Sequence, residues 1–160
     1  MIFVTLGSQK FQFDRLLKKL DELVEQKIIQ EEIYAQIGAS TYEPKYFSYV
    51  KFMDREKFAE IMNSCTTVIT HGGTGVIITA VKKGKKVIAV PRLAKYGEHV
   101  DDHQIQLLKQ FDELGIICAC YDTEQLGKNY SELADRIFRP YVSNTQVIID
   151  SIEQYLHTLE

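Results

Sequence analysis

An alternation constrains this sequence more than any other feature. Short apolar runs, rich in β-branched residues, are separated by longer segments whose apolar residues recur at helical spacing. Ile2–Leu6 predicts a buried strand stopped by Gly7. Phe11–Ile29 then places Phe13, Leu16, Leu17, Leu20, Leu23 and Val24 on one helical face. Ile33–Ile37 predicts a second strand, ended by Gly38, and Tyr46–Phe52 a third. Asp54 is placed to cap a helix through Ser64, with Phe58, Ile61 and Met62 inward. Thr67–Thr70 predicts a strand running into His71-Gly72-Gly73. A helix from Thr74 to Lys83 follows and ends at Gly84, a natural left-handed stop. Val87–Val90 is a strand closed by Pro91. The stretch Arg92–Val100 predicts a polar, mobile loop. Asp101 opens a helix to Leu114 with Gly115 as its stop, and Ile116–Cys120 is the last strand. Two helical segments complete the chain, the second over residues 143–159. Such alternation implies one α/β domain over residues 1–160, a mostly parallel sheet flanked by helices.

In sheets of this kind ligands bind beyond the carboxyl ends of the strands. Three loops fall there: Gly7-Ser8, His71–Gly75 and Arg92–Gln104. The strongest local signal is Val68-Ile69-Thr70-His71-Gly72-Gly73-Thr74-Gly75, a strand, then glycines, then a helix. Glycines permit a tight turn and let a ligand approach the backbone. The new helix offers unpaired N–H groups and the positive end of its dipole. Together these suit a phosphate or diphosphate, and the Thr74 hydroxyl adds a donor. A ligand-free tight turn is the alternative. A Walker A loop needs Gly-Lys-Ser/Thr, which does not occur here. A dinucleotide fingerprint needs glycine where Ile78 stands, and an acidic residue where Val90-Pro91-Arg92 stand, so an NAD or FAD protein is disfavoured.

The net charge of −3 and pI near 5.8 give no basis for bulk nucleic-acid binding. The clusters Lys82-Lys83 and Lys85-Lys86 are expected to be a solvated helix end. Cys65, Cys118 and Cys120 are odd in number, and Cys118 and Cys120 are expected on opposite sheet faces, against a shared metal. A reduced, cytoplasmic protein is expected. No signal peptide and no run of about 18 apolar residues is seen, so work at a membrane would require another protein to hold the chain there.

The segment His71–Gln104 resembles the C-terminal domain signature of MurG-like family 28 glycosyltransferases. The residues that carry it are His71-Gly72-Gly73-Thr74-Gly75, then Gly84-Lys85-Lys86-Val87-Ile88-Ala89-Val90-Pro91, then Asp102-His103-Gln104. Met1–Ser8 is similar to the opening strand and loop of that domain, and Phe52-Met53-Asp54 to Ser64 to the loop and helix facing the uracil base. Within that superfamily the chain resembles the stand-alone catalytic subunits of two-component capsule and exopolysaccharide transferases, on the run Pro91–Gln104.

The resemblance implies a Rossmann-like domain forming one half of a GT-B architecture. It implies a UDP-sugar donor, inversion at the anomeric carbon, no cofactor and no metal. Gly7, Ser8, Gly72, Gly73, Thr74 and Gly75 would hold the diphosphate. The backbone of Met53 would read the uracil edge with Phe52 beside it, and His103 and Gln104 would contact the sugar. Many relatives place a glutamate on the ribose where Thr79 stands here. Arg92 is a candidate cation for the diphosphate. His99 is a candidate general base, with a base donated by a partner as the alternative.

The acceptor half is implied to come from a membrane-associated partner subunit that presents a lipid-linked saccharide. The chain would then be recruited to the inner face of the plasma membrane. Val147, Ile148, Ile149, Ile152, Tyr155, Leu156 and Leu159 form an apolar stripe, read either as packing or as a partner-docking face. UDP-galactose is favoured among donors. A non-catalytic nucleotide-binding regulatory module is the second reading, and a two-domain epimerase a third.

Overall fold

In the computed structural model, residues 1–7 and 9–158 are described, without the side chains of 143–146 and 156–158. Ser8, and Leu159 of the C-terminal stripe, lie outside the described residues, as does the side chain of Leu156. The predicted strands form β1 (Ile2–Thr5), β2 (Ile33–Gln36), β3 (Ser48–Val50), β4 (Thr67–Thr70), β5 (Lys86–Ala89) and β6 (Cys118–Ala119). They make one sheet in the order β3-β2-β1-β4-β5-β6, and every pair is parallel. The order reverses between β1 and β4, which opens a crevice beyond their carboxyl ends. In register, Thr5 at the end of β1 faces Gln36 on one side and Thr70 on the other.

The helices are α1 (Asp14–Glu25), α2 (Arg55–Ser64), α3 (Thr74–Lys82), α4 (His103–Glu113), α5 (Leu126–Leu133) and α6 (Ser143–Thr158). Alternate residues of the central strands serve opposite core layers. Ile2, Val4, Ile69 and Ile88 pack with Leu16, Leu17, Leu20 and Leu23 of α1 and Leu126 and Leu133 of α5. Phe3, Val68 and Val87 pack with Ile61 and Met62 of α2, Ile77 and Ala80 of α3, Leu108 and Phe111 of α4, and Ile149 of α6. Burying each such side chain contributes about 1.5–3 kcal/mol. β1 and β4 are covered on both faces and buried throughout, and their inner residues are apolar.

Local signals set the boundaries. The Asp54 carboxylate accepts from Lys57 N at 2.8 Å and caps α2. Gly84 and Gly115 take positive φ, +73° and +74°, where α3 and α4 end. The helix expected from Asp101 begins two residues later. Asp101 precedes it, its carboxylate accepting from His103 N at 3.0 Å.

Two expectations are corrected. Cys118 and Cys120 both lie in the α1 layer, because residues two apart on a strand share a face. Both thiols are buried, and burial pushes Cys120 up to about 12. The stretch 92–100 is a braced turn built on buried charge, with a 3-10 turn at Ala94–Tyr96.

Candidate functional site

The site is built where β1 and β4 release the chain. Past β1, Gly7 turns with φ +72°. Past β4, His71 points back under the turn, and Gly73 becomes the N-cap of α3. A Cβ on Gly7 or on Gly73 would stand 2.8 Å from His71 Nε2. Both glycines are therefore required by the imidazole beneath them. Thr70 Oγ1 donates to Thr5 O at 2.6 Å and ties the two strand ends together.

The N-cap of α3 carries no side-chain cap. Its first-turn N–H groups at Thr74, Gly75 and Val76 have no partner among the described residues. These orphan donors, at the positive end of the helix, form an anion-seeking surface. Gly75 lies inside α3, where glycine costs about 1 kcal/mol against alanine. A Cβ there would meet nothing within 4 Å, so packing does not demand this glycine.

Gln104 links this turn to the next loop. Its Oε1 accepts from Gly72 N at 3.1 Å and from Arg92 N at 2.9 Å. Two N–H donors on one atom identify that atom as the oxygen, so the amide nitrogen faces the other way, 3.5 Å from His71 Nδ1. An amide NH2 only donates, so Nδ1 must accept and the ring proton sits on Nε2. His71 is 4 % exposed, and burial, helped by the charges of Arg92 and His99, lowers its pKa to about 3. A neutral imidazole thus holds its one N–H between Gly7 and Gly73.

Arg92 takes a different place from the one its sequence position suggests. It is 1 % exposed. Its Nη2 donates to Leu6 O at 2.6 Å, and its Nη1 to Phe11 O at 3.1 Å, Gln12 O at 3.3 Å and Glu98 O at 3.3 Å. Its plane lies over the Phe13 ring. Burial lowers its pKa to about 10, which leaves it charged at neutral pH. Glu98, also 1 % exposed, takes a two-pronged contact from Arg15, each prong 3.0 Å, and accepts from Leu93 N. The guanidinium expected to face a diphosphate instead clamps the segment after β1 onto the segment after β5.

His99 stacks beside Phe11, with ring centroids 5.7 Å apart, and its Nδ1 lies 3.3 Å from Asp101 Oδ1. His103 Nδ1 lies 3.8 Å from the other oxygen of Asp101. One carboxylate therefore sits between the candidate base and a candidate sugar contact. Across the crevice, Gly38 N donates to Lys51 O at 2.9 Å and aligns the end of β2 with the stretch before Phe52. Phe52 is 57 % exposed, while Met53 packs partly against the core layer that holds α2 and α3. Thr79 donates to Gly75 O at 2.8 Å on the exposed side of α3.

The sequence model of the glycosyltransferase family 28 C-terminal domain matches residues 1–157. This chain belongs to that family. It is 28% identical over 133 residues to the human UDP-N-acetylglucosamine transferase subunit ALG13, a match covering 74% of the chain and 11% of that protein's length. The solution structure of ALG13 superposes with a TM-score of 0.57 at 18% identity, covering 97% of this chain and 94% of that one. The crystal structure of Acinetobacter baumannii MurG superposes with a TM-score of 0.57 at 18% identity, covering 94% of this chain and 49% of that one. These likenesses show the fold, a Rossmann-like half of a GT-B glycosyltransferase.

In this family 28 domain, the residues singled out from sequence divide. Gly7, Gly72, Gly73, Thr74 and Gly75 converge on the β1–β4 crevice, over His71. Phe52 and Met53 follow β3 at the same edge of the sheet. The Gln104 oxygen and the Arg92 guanidinium are both spent on backbone groups. The residues that sequence reasoning missed are Arg15 and Glu98. Their only signal was a glutamate inside a loop otherwise expected to be solvated. No helix among the described residues is long and apolar enough to cross a membrane.

Proposed function

We propose that this domain is the donor-binding half of a two-component glycosyltransferase. It takes a UDP-sugar, with UDP-galactose favoured. A membrane-associated partner supplies the acceptor half, and the sugar passes with inversion to a lipid-linked saccharide in capsule or exopolysaccharide assembly. One observation carries the reading. The uncapped start of α3 stands at Gly73, and a neutral His71 holds its Nε2 between Gly7 and Gly73, where only glycine leaves room.

Those donors suit the diphosphate twice over. They bind it in the ground state, and they stabilise the negative charge that grows on UDP as the glycosidic bond breaks. Fixed donors do this with no reorganisation at the moment of reaction, so the chemistry needs no metal and no cofactor. Met53 would offer its backbone to the uracil with Phe52 alongside, and Thr79 would face the ribose. His103 would meet the sugar hydroxyls. Gln104, with its oxygen committed, reaches the sugar only through its nitrogen edge. The acceptor hydroxyl would lose its proton to His99, held by Asp101, or to a group of the acceptor half. The exposed face of α6, with Val147, Ile148 and Tyr155, would receive the partner, while Ile149 and Ile152 pack inward. The chain would thereby be held at the inner face of the plasma membrane.

Calorimetric titration with UDP, UDP-galactose, UDP-glucuronic acid, UDP-N-acetylglucosamine and NAD tests this reading. UDP binding with a preference for UDP-galactose is expected. A different preferred sugar would replace the donor assignment, and NAD binding in place of UDP would reject the reading. Sugar transfer to a lipid-linked acceptor when the partner is added separates an enzyme subunit from a regulatory module.

A further inference from the structure

The opposite end of the sheet carries a second surface. From the last residue of α3 to the first of β5 stand Lys82, Lys83, Lys85 and Lys86, and the segment joining α5 to α6 adds Arg136 and Arg139. Lys85, Lys86, Arg136 and Arg139 line one cavity of about 450 Å³, together with Ile137. Lys82 adjoins it over the Tyr141 ring. In a chain of net charge −3, residues 82–86 and 134–142 carry six cations against one carboxylate, Asp135.

The charges are held but not neutralised. Lys85 Nζ donates to Asn63 O at 3.1 Å and Cys65 O at 2.7 Å. Lys86 Nζ donates to Leu133 O at 2.8 Å and Ala134 O at 3.1 Å. Lys83 Nζ donates to Asn63 Oδ1 at 2.8 Å. Only Arg136 pairs with a carboxylate, that of Asp112. Among the described residues no carboxylate pairs with Lys82, Lys83, Lys85, Lys86 or Arg139. The dipole of α3 favours cations at its C-terminus, which accounts for Lys82 and Lys83. It does not account for Lys86, Arg136 and Arg139.

Ile137 stands among these charges, 94% exposed. It is not on a loose tip. Arg136 Nη2 donates to Ile117 O at 3.1 Å, Phe138 packs against the core, and Arg139 N donates to Gly115 O at 2.8 Å. Both flanks are anchored, so the fold presents the side chain outward. Single exposed aliphatic residues are ordinary. A fixed one ringed by long cationic side chains has the pattern of an interfacial anchor: the aliphatic group enters the acyl boundary while the cations reach the headgroups.

We propose that this end of the domain binds an anionic lipid bilayer directly, with Ile137 as the inserted residue and Lys82, Lys83, Lys85, Lys86 and Arg139 on the headgroups. The charge complementarity selects anionic lipid over neutral lipid. Bound in this way, the domain keeps its glycine site on the far side, open to a soluble nucleotide and to a partner subunit. The proposal stands apart from the nucleotide-sugar reading, since it uses none of the same residues.

The test is co-sedimentation of the full chain with vesicles of phosphatidylglycerol mixed with phosphatidylcholine, and of phosphatidylcholine alone. Binding is expected to the first and not to the second, falling about tenfold on going from low salt to about 0.5 M. Ile137→Asp and the double variant Lys82→Glu/Lys83→Glu should each lower binding by about tenfold. Lys18→Glu/Lys45→Glu, on another face, should leave it unchanged. These side chains lie outside the core, and a far-UV spectrum identical to the native one checks the fold. No binding to anionic vesicles at low salt overturns the proposal. So does binding that both patch variants retain, equal loss in the control variant, or sedimentation that requires an added partner protein.

Discussion

The glycine turn at 71–75 and the segment at 91–104 adjoin one another, joined by the Gln104–Gly72 bond, and they dispose of their polar groups in opposite ways. In the segment, buried charge turns inward: Arg92 bonds to carbonyls of Leu6, Phe11, Gln12 and Glu98, and Glu98 holds Arg15 and Leu93 N. In the turn, the first N–H groups of α3 have no partner among the described residues, and a neutral imidazole lies beneath them. A set of unsatisfied donors is costly to hold in place unless its surroundings are rigid. The segment, whose Arg92 Nη groups, Glu98 carboxylate and Gln104 oxygen are all bonded to the protein, supplies that rigidity, and the turn can then keep its donors available for a ligand.

Breaking the satisfied side should have the largest effect. Arg92→Met removes the clamp and leaves Glu98 with one fewer cation nearby and four carbonyls without their donor. The expected loss is about 3–5 kcal/mol of stability, read as a shift of the urea midpoint. A stability equal to the native chain would show that the clamp does not matter. Gln104→Ala comes next. It strands Gly72 N and Arg92 N at a cost of about 1–3 kcal/mol. It should weaken UDP because the whole turn loosens, and weaken a UDP-sugar further because the nitrogen edge that would meet the sugar is gone. Equal losses for both would leave Gln104 a positioning residue with no sugar contact.

The protonation of the turn gives a further handle. His71 ordinarily titrates near 6.5 and in the folded chain near 3. Its folded pKa is depressed, so the unfolded chain binds the extra proton between those values. The stability it protects is therefore complete above pH 6.5 and falls as pH drops from 6.5 towards 3. The slope from this one group is at most about 1.4 kcal/mol per pH unit. Denaturation across that range should show this slope in the native chain and a flatter one in His71→Gln. The smallest effect is expected at Thr79, whose hydroxyl is turned back to Gly75 O. Thr79→Glu would give the ribose a carboxylate acceptor and tighten UDP by about 1 kcal/mol, roughly fivefold. Unchanged affinity would place the ribose elsewhere.

The fold was legible because strands buried on both faces must be apolar, and helices over them must repeat every three or four residues. Asp54, Gly84 and Gly115 marked boundaries through local geometry alone. The glycine turn was legible for the same reason, since strand, glycines and helix start are contiguous in sequence. The clamp was not. Arg92 reaches partners more than eighty residues away in sequence, and nothing local separates a buried arginine from a solvated one. The tautomer of His71 depends likewise on Gln104, thirty-three residues on, whose orientation is set by two backbone groups. Cys118 and Cys120 were misplaced by parity, not by any long-range effect.

The most direct test of the central claim is calorimetry with UDP and with uridine, on the native chain and on Gly75→Val. A Cβ at Gly75 meets no atom of the described residues within 4 Å, so the thermal midpoint should not fall, yet on the proposed reading the valine side chain would stand where the ligand approaches. If the uncapped start of α3 holds a diphosphate, UDP binds the native chain at least about tenfold more tightly than uridine, and Gly75→Val loses that difference. Uridine binding as tightly as UDP, or UDP binding unaltered by Gly75→Val, would contradict the account.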